Sequence, residues 1–161
     1  MSVVVFAEAI NNKFKKTAYE LCNYGAKLAL AMGESCIAIT NANADLASEL
    51  ANYGASKIIS FSNDSMHDSK LSAQVISDIA TSNSAKLVIL SDDSRSRALL
   101  GRIAVRLDAS VVSSVTSLAE ITDGFKVEKS LFSGKAIAEY SMDSNVKVLS
   151  IARNSIGVEE I

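Results

Sequence analysis

The sequence contains no proline, so no helix is kinked by a pyrrolidine ring and no loop is held by a cis X–Pro bond. Glycine and asparagine must make the turns. Histidine is nearly absent: His67 stands alone in the polar stretch Asn63-Asp64-Ser65-Met66-His67-Asp68, and with no second histidine to form a metal or nucleotidyl-transfer motif it reads as a solvated side chain. The two cysteines, Cys22 and Cys36, fall in an expected helix and an expected strand, without the C-x-x-C spacing of a redox or zinc site. Buried, reduced thiols are the expectation. An excess of one charge is missing too. Sixteen Lys and Arg face 18 Asp and Glu, for a net charge of -2, which offers no general attraction to nucleic acid or anionic membrane. No apolar run approaches the roughly 18 residues of a membrane span, and the start, Met1-Ser2-Val3-Val4-Val5-Phe6-Ala7-Glu8, lacks a basic region. These absences point to a cytoplasmic protein.

Enzyme signatures are missing as well. There is no G-x-G-x-x-G after the first apolar run, no Walker lysine loop, no nucleophile elbow and no pair of carboxylates in a glycine-rich setting. No catalytic residue and no metal ligand is assigned, and a catalytic centre within the chain is not expected.

What is present is a chain of 161 residues, 48% hydrophobic and 21% charged, which suits one compact domain with a real core. Its apolar residues switch between short continuous runs and helical spacing, the pattern of alternating strands and helices. Strands are expected at Val3 to Ala7, Ser35 to Ile39, Lys57 to Phe61 and Lys86 to Leu90. Between them, helices are expected from about Lys13 to Met32 with Ala18, Leu21, Cys22, Gly25, Leu28 and Ala29 inward, from Ala44 to Asn52 behind a cap at Asn43 or Asn41, and from Lys70 to Thr81 with Leu71, Val75, Ile76 and Ile79 inward. Gly33 and Gly54 are expected to close the first two. Because the strands look apolar on both faces, they are expected to lie parallel with helices on both sides, a doubly wound α/β sheet. After Asp108 come strands only: Ser110 to Ser113, Val115 to Ile121, the Asp123-Gly124 turn, Phe125 to Leu131, a Ser133-Gly134 turn, Lys135 to Tyr140, and Val146 to Ile151. The middle ones form a C-terminal hairpin region, and the last is apolar enough to rejoin the main sheet.

The richest segment follows the fourth strand. From Asp93 to Asp108 runs a helix capped by Asp93 or Ser94, with Leu100, Ile103 and Leu107 on a core face and Arg95, Arg102 and Arg106 on a stripe about 100° away. Open α/β sheets bind ligands at the carboxyl ends of their strands, so Ser91, Ser94, Arg95 and Arg97 form, with Ala7 and Glu8 after the first strand and Thr40 and Asn41 after the second, a candidate edge for an adenine nucleotide or another anion. The same arginines read equally well as solvated, or as paired with Asp92, Asp93 and Asp108.

The segment Ser94, Arg97, Leu99, Arg102, Ala104, Leu107, Asp108 resembles the N-terminal domain of the electron transfer flavoprotein alpha subunit, whose pattern there is approximately T-S-x-G-R-D-L-x-P-R-[LV]-A-x-x-L-D. Ser96, Ala98 and Gly101 replace its glycine, aspartate and proline. Similar blocks recur in order along nearly the whole chain: Val5-Phe6-Ala7-Glu8, Leu50-Ala51-Asn52-Tyr53-Gly54-Ala55-Ser56-Lys57, Val112-Ser113-Ser114-Val115-Thr116, and Phe132-Ser133-Gly134-Lys135-Ala136 for the family's Y-x-G-[KN]-A turn. The resemblance implies a single adenine-nucleotide-alpha-hydrolase-like domain over residues 1–161. Family alpha subunits carry FAD in a separate C-terminal domain, and this sequence ends near the point where that domain would begin. FAD is therefore expected on a partner chain, either a beta-type subunit or a separate flavin domain, with electron transfer by association. A homo-oligomer stays open. The alternative is a small adenine-nucleotide-binding module of the universal-stress type, with AMP as ligand. That family uses a G-x-x-G and a later G-[ST], which Asp92 to Gly101 lacks.

Overall fold

Six consecutive buried residues, Ser2–Ala7, form β1 at the heart of a sheet, as a run apolar on both faces requires. The computed structural model describes residues 2–61 and 68–161, so the expectation for His67 lies outside the described residues. A hairpin of two-residue strands, β2 (Ala9–Ile10) and β3 (Lys13–Phe14), follows. Its turn is Asn11-Asn12, both at positive φ, as a tight hairpin turn requires. Helix α1 (Lys16–Met32) therefore starts three residues later than its periodicity suggests, because Lys13 is committed to the hairpin. Gly33 ends it in the left-handed region, its N–H bonded back to the last turn.

Next comes β4 (Ser35–Thr40). The helix expected to Asn52 is two pieces: α2 (Ala44–Ser48), capped by Asn43 Oδ1 on Leu46 N, and a 3-10 turn over Glu49–Tyr53 closed by Gly54. β5 (Lys57–Ser60), α3 (Ser69–Ser82), β6 (Ala85–Ser91) and α4 (Ser94–Leu107) complete the alternating part. On α3 the inward face is Ala73, Ile76 and Ala80, with Ser72 and Ser77, whereas Leu71 is exposed. The small side chains let α3 lie close to its neighbours, and Leu71 falls just off that stripe.

The remaining strands are β7 (Ser110–Val115), β8 (Lys126–Leu131), β9 (Ala136–Ser141) and β10 (Lys147–Ile151). The strand expected from Val115 to Ile121 does not form. β7 ends at Val115, and beyond it only Glu120 bridges to Lys126. The sheet order is β5-β4-β1-β6-β10-β7-β8-β9. Pairing is parallel from β5 through β7 and antiparallel for β8 and β9. The fold is a doubly wound α/β sheet. On one face Val3, Val5, Leu87, Ile89 and Leu149 pack with Leu21, Tyr24 and Leu28 of α1. On the other Val4, Phe6, Val88, Leu90 and Val148 pack with Ile76 of α3 and Leu99 and Ile103 of α4.

The thiols of Cys22 and Cys36 are free and buried in the α1 face. Burial pushes both upward, Cys36 to about 12, so they stay protonated at neutral pH and behave as small apolar groups. Beyond β10, residues 152–161 run back along α1, tied there by two buried polar side chains. Glu20 accepts from Asn154 N and Ile156 N, each at 3.1 Å. Asn23 donates to Tyr53 O and Glu159 O and accepts from Glu159 N.

Candidate functional site

Because β4, β1, β6 and β10 are parallel neighbours, their carboxyl ends share one edge. Ala7 stands opposite Thr40, and Ser91 opposite Ile151. The structure thus gathers the strand-end residues named from the sequence at one edge, and each has a definite occupation.

Ala7 is wholly buried and contributes its methyl to the core. Thr40 is equally buried, and its hydroxyl accepts from Ala42 N at 3.1 Å, shaping the turn out of β4. Asn41 does not cap a helix. Its amide accepts from Ala9 N at 2.7 Å and donates to Ala9 O at 2.9 Å, clamping the β2 segment to the end of β4.

At the exit of β6 the polar groups lock one another. Asp93 is the N-cap of α4, its Oδ1 accepting from Ser96 N at 2.8 Å, while Ser94 is the exposed first helical residue. Asp93 was one of two candidates for this role, and the carboxylate reaches the N3 amide as N-cap geometry demands. The Ser91 hydroxyl donates to the other Asp93 oxygen and lies 3.1 Å from the Ser96 hydroxyl. Burial raises the Asp93 carboxyl, but these bonds outweigh it and hold it below the usual range.

Asp92 organises a second network. It accepts Arg97 Nε at 2.9 Å and a terminal Arg97 nitrogen at 3.1 Å, the Ser114 hydroxyl at 2.7 Å and the Ser150 hydroxyl at 3.3 Å. Ser114 sits at φ 60 where two residues of β7 oppose Ser150 of β10, and its N–H donates to the Ser150 hydroxyl at 2.9 Å. A β-bulge leaves such a group without a ladder partner. Ser150 and Asp92 supply one, joining β6, α4, β10 and β7 at the edge.

The Arg97 hydrogen bonds hold the Asp92 carboxyl below its ordinary 3.8, against the upward push of burial. The stability this contributes is fully present above the unfolded value and is lost as pH falls below about 4 through the lowered folded value. Replacing Asp92 by asparagine should cost about 1–2 kcal/mol at neutral pH. It should also flatten the acid limb of stability against pH, leaving the part due to Asp93. Urea midpoints between neutral pH and pH about 3 check both, and an unchanged acid limb would contradict the assignment.

Arg95 reaches across the edge to pair with Glu8, a contact between residues 87 positions apart. Arg102 and Arg106, its companions on the helical stripe, pair with neither Asp93 nor Asp108. They are exposed, and with Lys70, Gly101 and Val105 they line an open groove of about 410 Å³ beside α3. Asp108 instead ends α4 in the left-handed region.

A cleft at the edge is lined by Glu8, Ser91 and Asp93 together with Lys15, Thr17 and Arg153. Lys15 and Arg153 were not singled out from the sequence. Arg153 reaches this place only because β10 inserts beside β6, and Lys15 only because the β2–β3 hairpin delays α1. The cleft holds two acidic and two basic side chains, and its free volume is about 20 Å³, room for about one water molecule. Among the described residues no group of three or more His, Cys, Asp or Glu is placed to hold a metal ion, and no helix is long and apolar enough to cross a membrane.

Comparison with protein families matches residues 3–161 to the electron transfer flavoprotein domain. Comparison with curated proteins finds no match.

Proposed function

The chain belongs to the electron transfer flavoprotein domain family, and from that premise we propose that it is an alpha-type N-terminal domain acting in electron transfer by association, with FAD held by a partner chain. The partner in this reading is a beta-type subunit or a separate flavin domain. One observation carries the division of labour. At the edge where a sheet of this kind would hold a nucleotide, Glu8, Asn41, Ser91, Arg95 and Arg97 are engaged within the protein, and about 20 Å³ remains free. This occupation of the edge supports the reading in which FAD sits on a partner chain and speaks against the AMP of the alternative.

The arginine helix serves in this proposal as contact surface. Val105 is 84% exposed and lies between Arg102 and Arg106, an apolar centre with a basic rim suited to an acidic-edged partner. Purified alone, the protein should be colourless and should bind neither FAD nor AMP in calorimetry. Mixed with a beta-type subunit or a flavin domain it should form a complex that carries the flavin absorbance, and Arg102→Glu with Arg106→Glu should weaken that complex by roughly tenfold or more. Stoichiometric flavin on the isolated chain, or failure to bind either partner, would overturn the proposal.

A further inference from the structure

The antiparallel end of the sheet is finished by β9, whose only strand neighbour among the described residues is β8. Met142 N donates to Phe125 O at 2.9 Å, and the register runs without a shift from Lys126 opposite Ser141 to Leu131 opposite Ala136. In an antiparallel ladder, residues bonding to one side alternate with residues bonding to the other. Ala136, Ala138 and Tyr140 therefore bond to β8, while Ile137, Glu139 and Ser141 turn their N–H and C=O groups outward. Edge strands are commonly blunted by proline, a bulge or several charges. β9 has no proline and no bulge, and within it Glu139 is the one charged residue.

The side chains on this edge are incomplete in a specific way. Ile137 is 72% exposed. Glu139 lies directly opposite Glu128 of β8, a like-charge pair of the kind that destabilises a sheet. Lys135, exposed, is the last residue of the turn before β9 and stands two residues before Ile137, so one more residue of extended backbone brings it onto the same face.

A second copy can add to this edge only with outward-bonding residues facing outward-bonding residues, which allows dyads at any position from 136 to 141. Those at Tyr140 and Ser141 set Asp143 against Ile137 and Glu139 respectively, and one at Ala136 sets Ile137 against Lys135. A dyad at Glu139 sets that carboxylate against its own copy, beside two more from Glu128. One at Ala138 sets Ile137 against Glu139. One at Ile137 places the two isoleucines together and puts Lys135 of each chain opposite Glu139 of the other, twice over, supplying cations where each chain holds two facing carboxylates.

We propose that β9 pairs antiparallel with β9 of a second copy of this chain across a dyad at Ile137, joining two eight-stranded sheets into one. The edge's own charges choose both occupant and register. A ladder continued in this way uses backbone groups for adhesion and side chains for selectivity. This dimer is independent of the association with a flavin-carrying partner, so either can fail while the other stands.

Sedimentation equilibrium of the full chain in low salt should show a dimer. Lys135→Glu and Glu139→Lys should each weaken it by roughly tenfold or more, since each sets like charges opposite at two symmetric places. The double variant should restore it, and Ile137→Lys should leave a monomer. All three positions are exposed, and unchanged circular dichroism and thermal midpoints will show that the variants remain folded. A wild-type monomer at every concentration, a dimer indifferent to the single changes, or a double variant that fails to recover would each overturn the proposal.

Discussion

Valine in place of Gly25 is expected to destabilise the protein by about 3 kcal/mol or more, the upper range for overpacking a core. A Cβ at this position would stand 2.5 Å from Val5 Cγ1 and 3.0 Å from Cys36 Sγ. Both neighbours are fully or almost fully buried strand side chains, so neither can swing into solvent, and β-branching adds two further carbons to the crowding. Alanine should cost less, because the same clash is partly offset by about 1 kcal/mol of helix propensity. Gly101 provides the control. It lies inside α4 with nothing within 4 Å of where its Cβ would be, so Gly101→Ala should stabilise by up to about 1 kcal/mol. Urea denaturation of the three variants decides the matter: equal losses at positions 25 and 101 would mean that the close approach of α1 to β1 and β4 is not what Gly25 provides.

Glu20→Ala is the second large effect. It leaves Asn154 N–H and Ile156 N–H without their acceptor and opens a hole beside the core, and two unsatisfied donors together should cost about 2–4 kcal/mol. The loss should be local as well as global. Residues 152–161 are still held by Asn23 and by Ile161 N on Asn52 O, so amide exchange should accelerate first over Asn154 to Ile156. A uniform acceleration across the sheet, with no excess in that segment, would count against the strap.

Much of this architecture can be read from the chain before any coordinates. Val3 to Ala7 and Lys86 to Leu90 are continuous apolar runs, so central strands follow, and Gly33 and Gly54 mark helix ends that the structure places at φ 67 and 96. Other elements leave no periodic trace. Ala9–Ile10 and Lys13–Phe14 are too short to show a period, and the Asn11-Asn12 pair, whose residues take positive φ, is the one turn signal between them. Val115 to Ile121 reads as a strand from composition, yet the bulge at Ser114 and the bonding of Asp92 and Ser150 end β7, which is tertiary information. The site follows the same division. That Glu8, Asn41 and Ser91 share an edge follows from parallel strands. The pairing of Arg97 with Asp92 is one that the sequence offers, whereas that of Arg95 with Glu8 depends on the angle at which α4 leaves β6. Glu20 and Asn23 flank Leu21, Cys22 and Tyr24 on the inward stripe of α1, and their signal was the placement of polar groups where apolar ones belong.

The order of strands bears on how the protein is made. β10 lies between β6 and β7, so the early strands and the β7–β8–β9 group have no ladder in common until residues 147–151 have been synthesised. Before then neither β6 nor β7 has its β10 neighbour, so the ladder positions at Leu87 and Ile89 of one and Val111 and Val112 of the other lack the strand they pair with. Filling them requires contacts of long sequence separation, which slow folding. Until that strand emerges from the ribosome, both strands are exposed to chaperones and to mispairing.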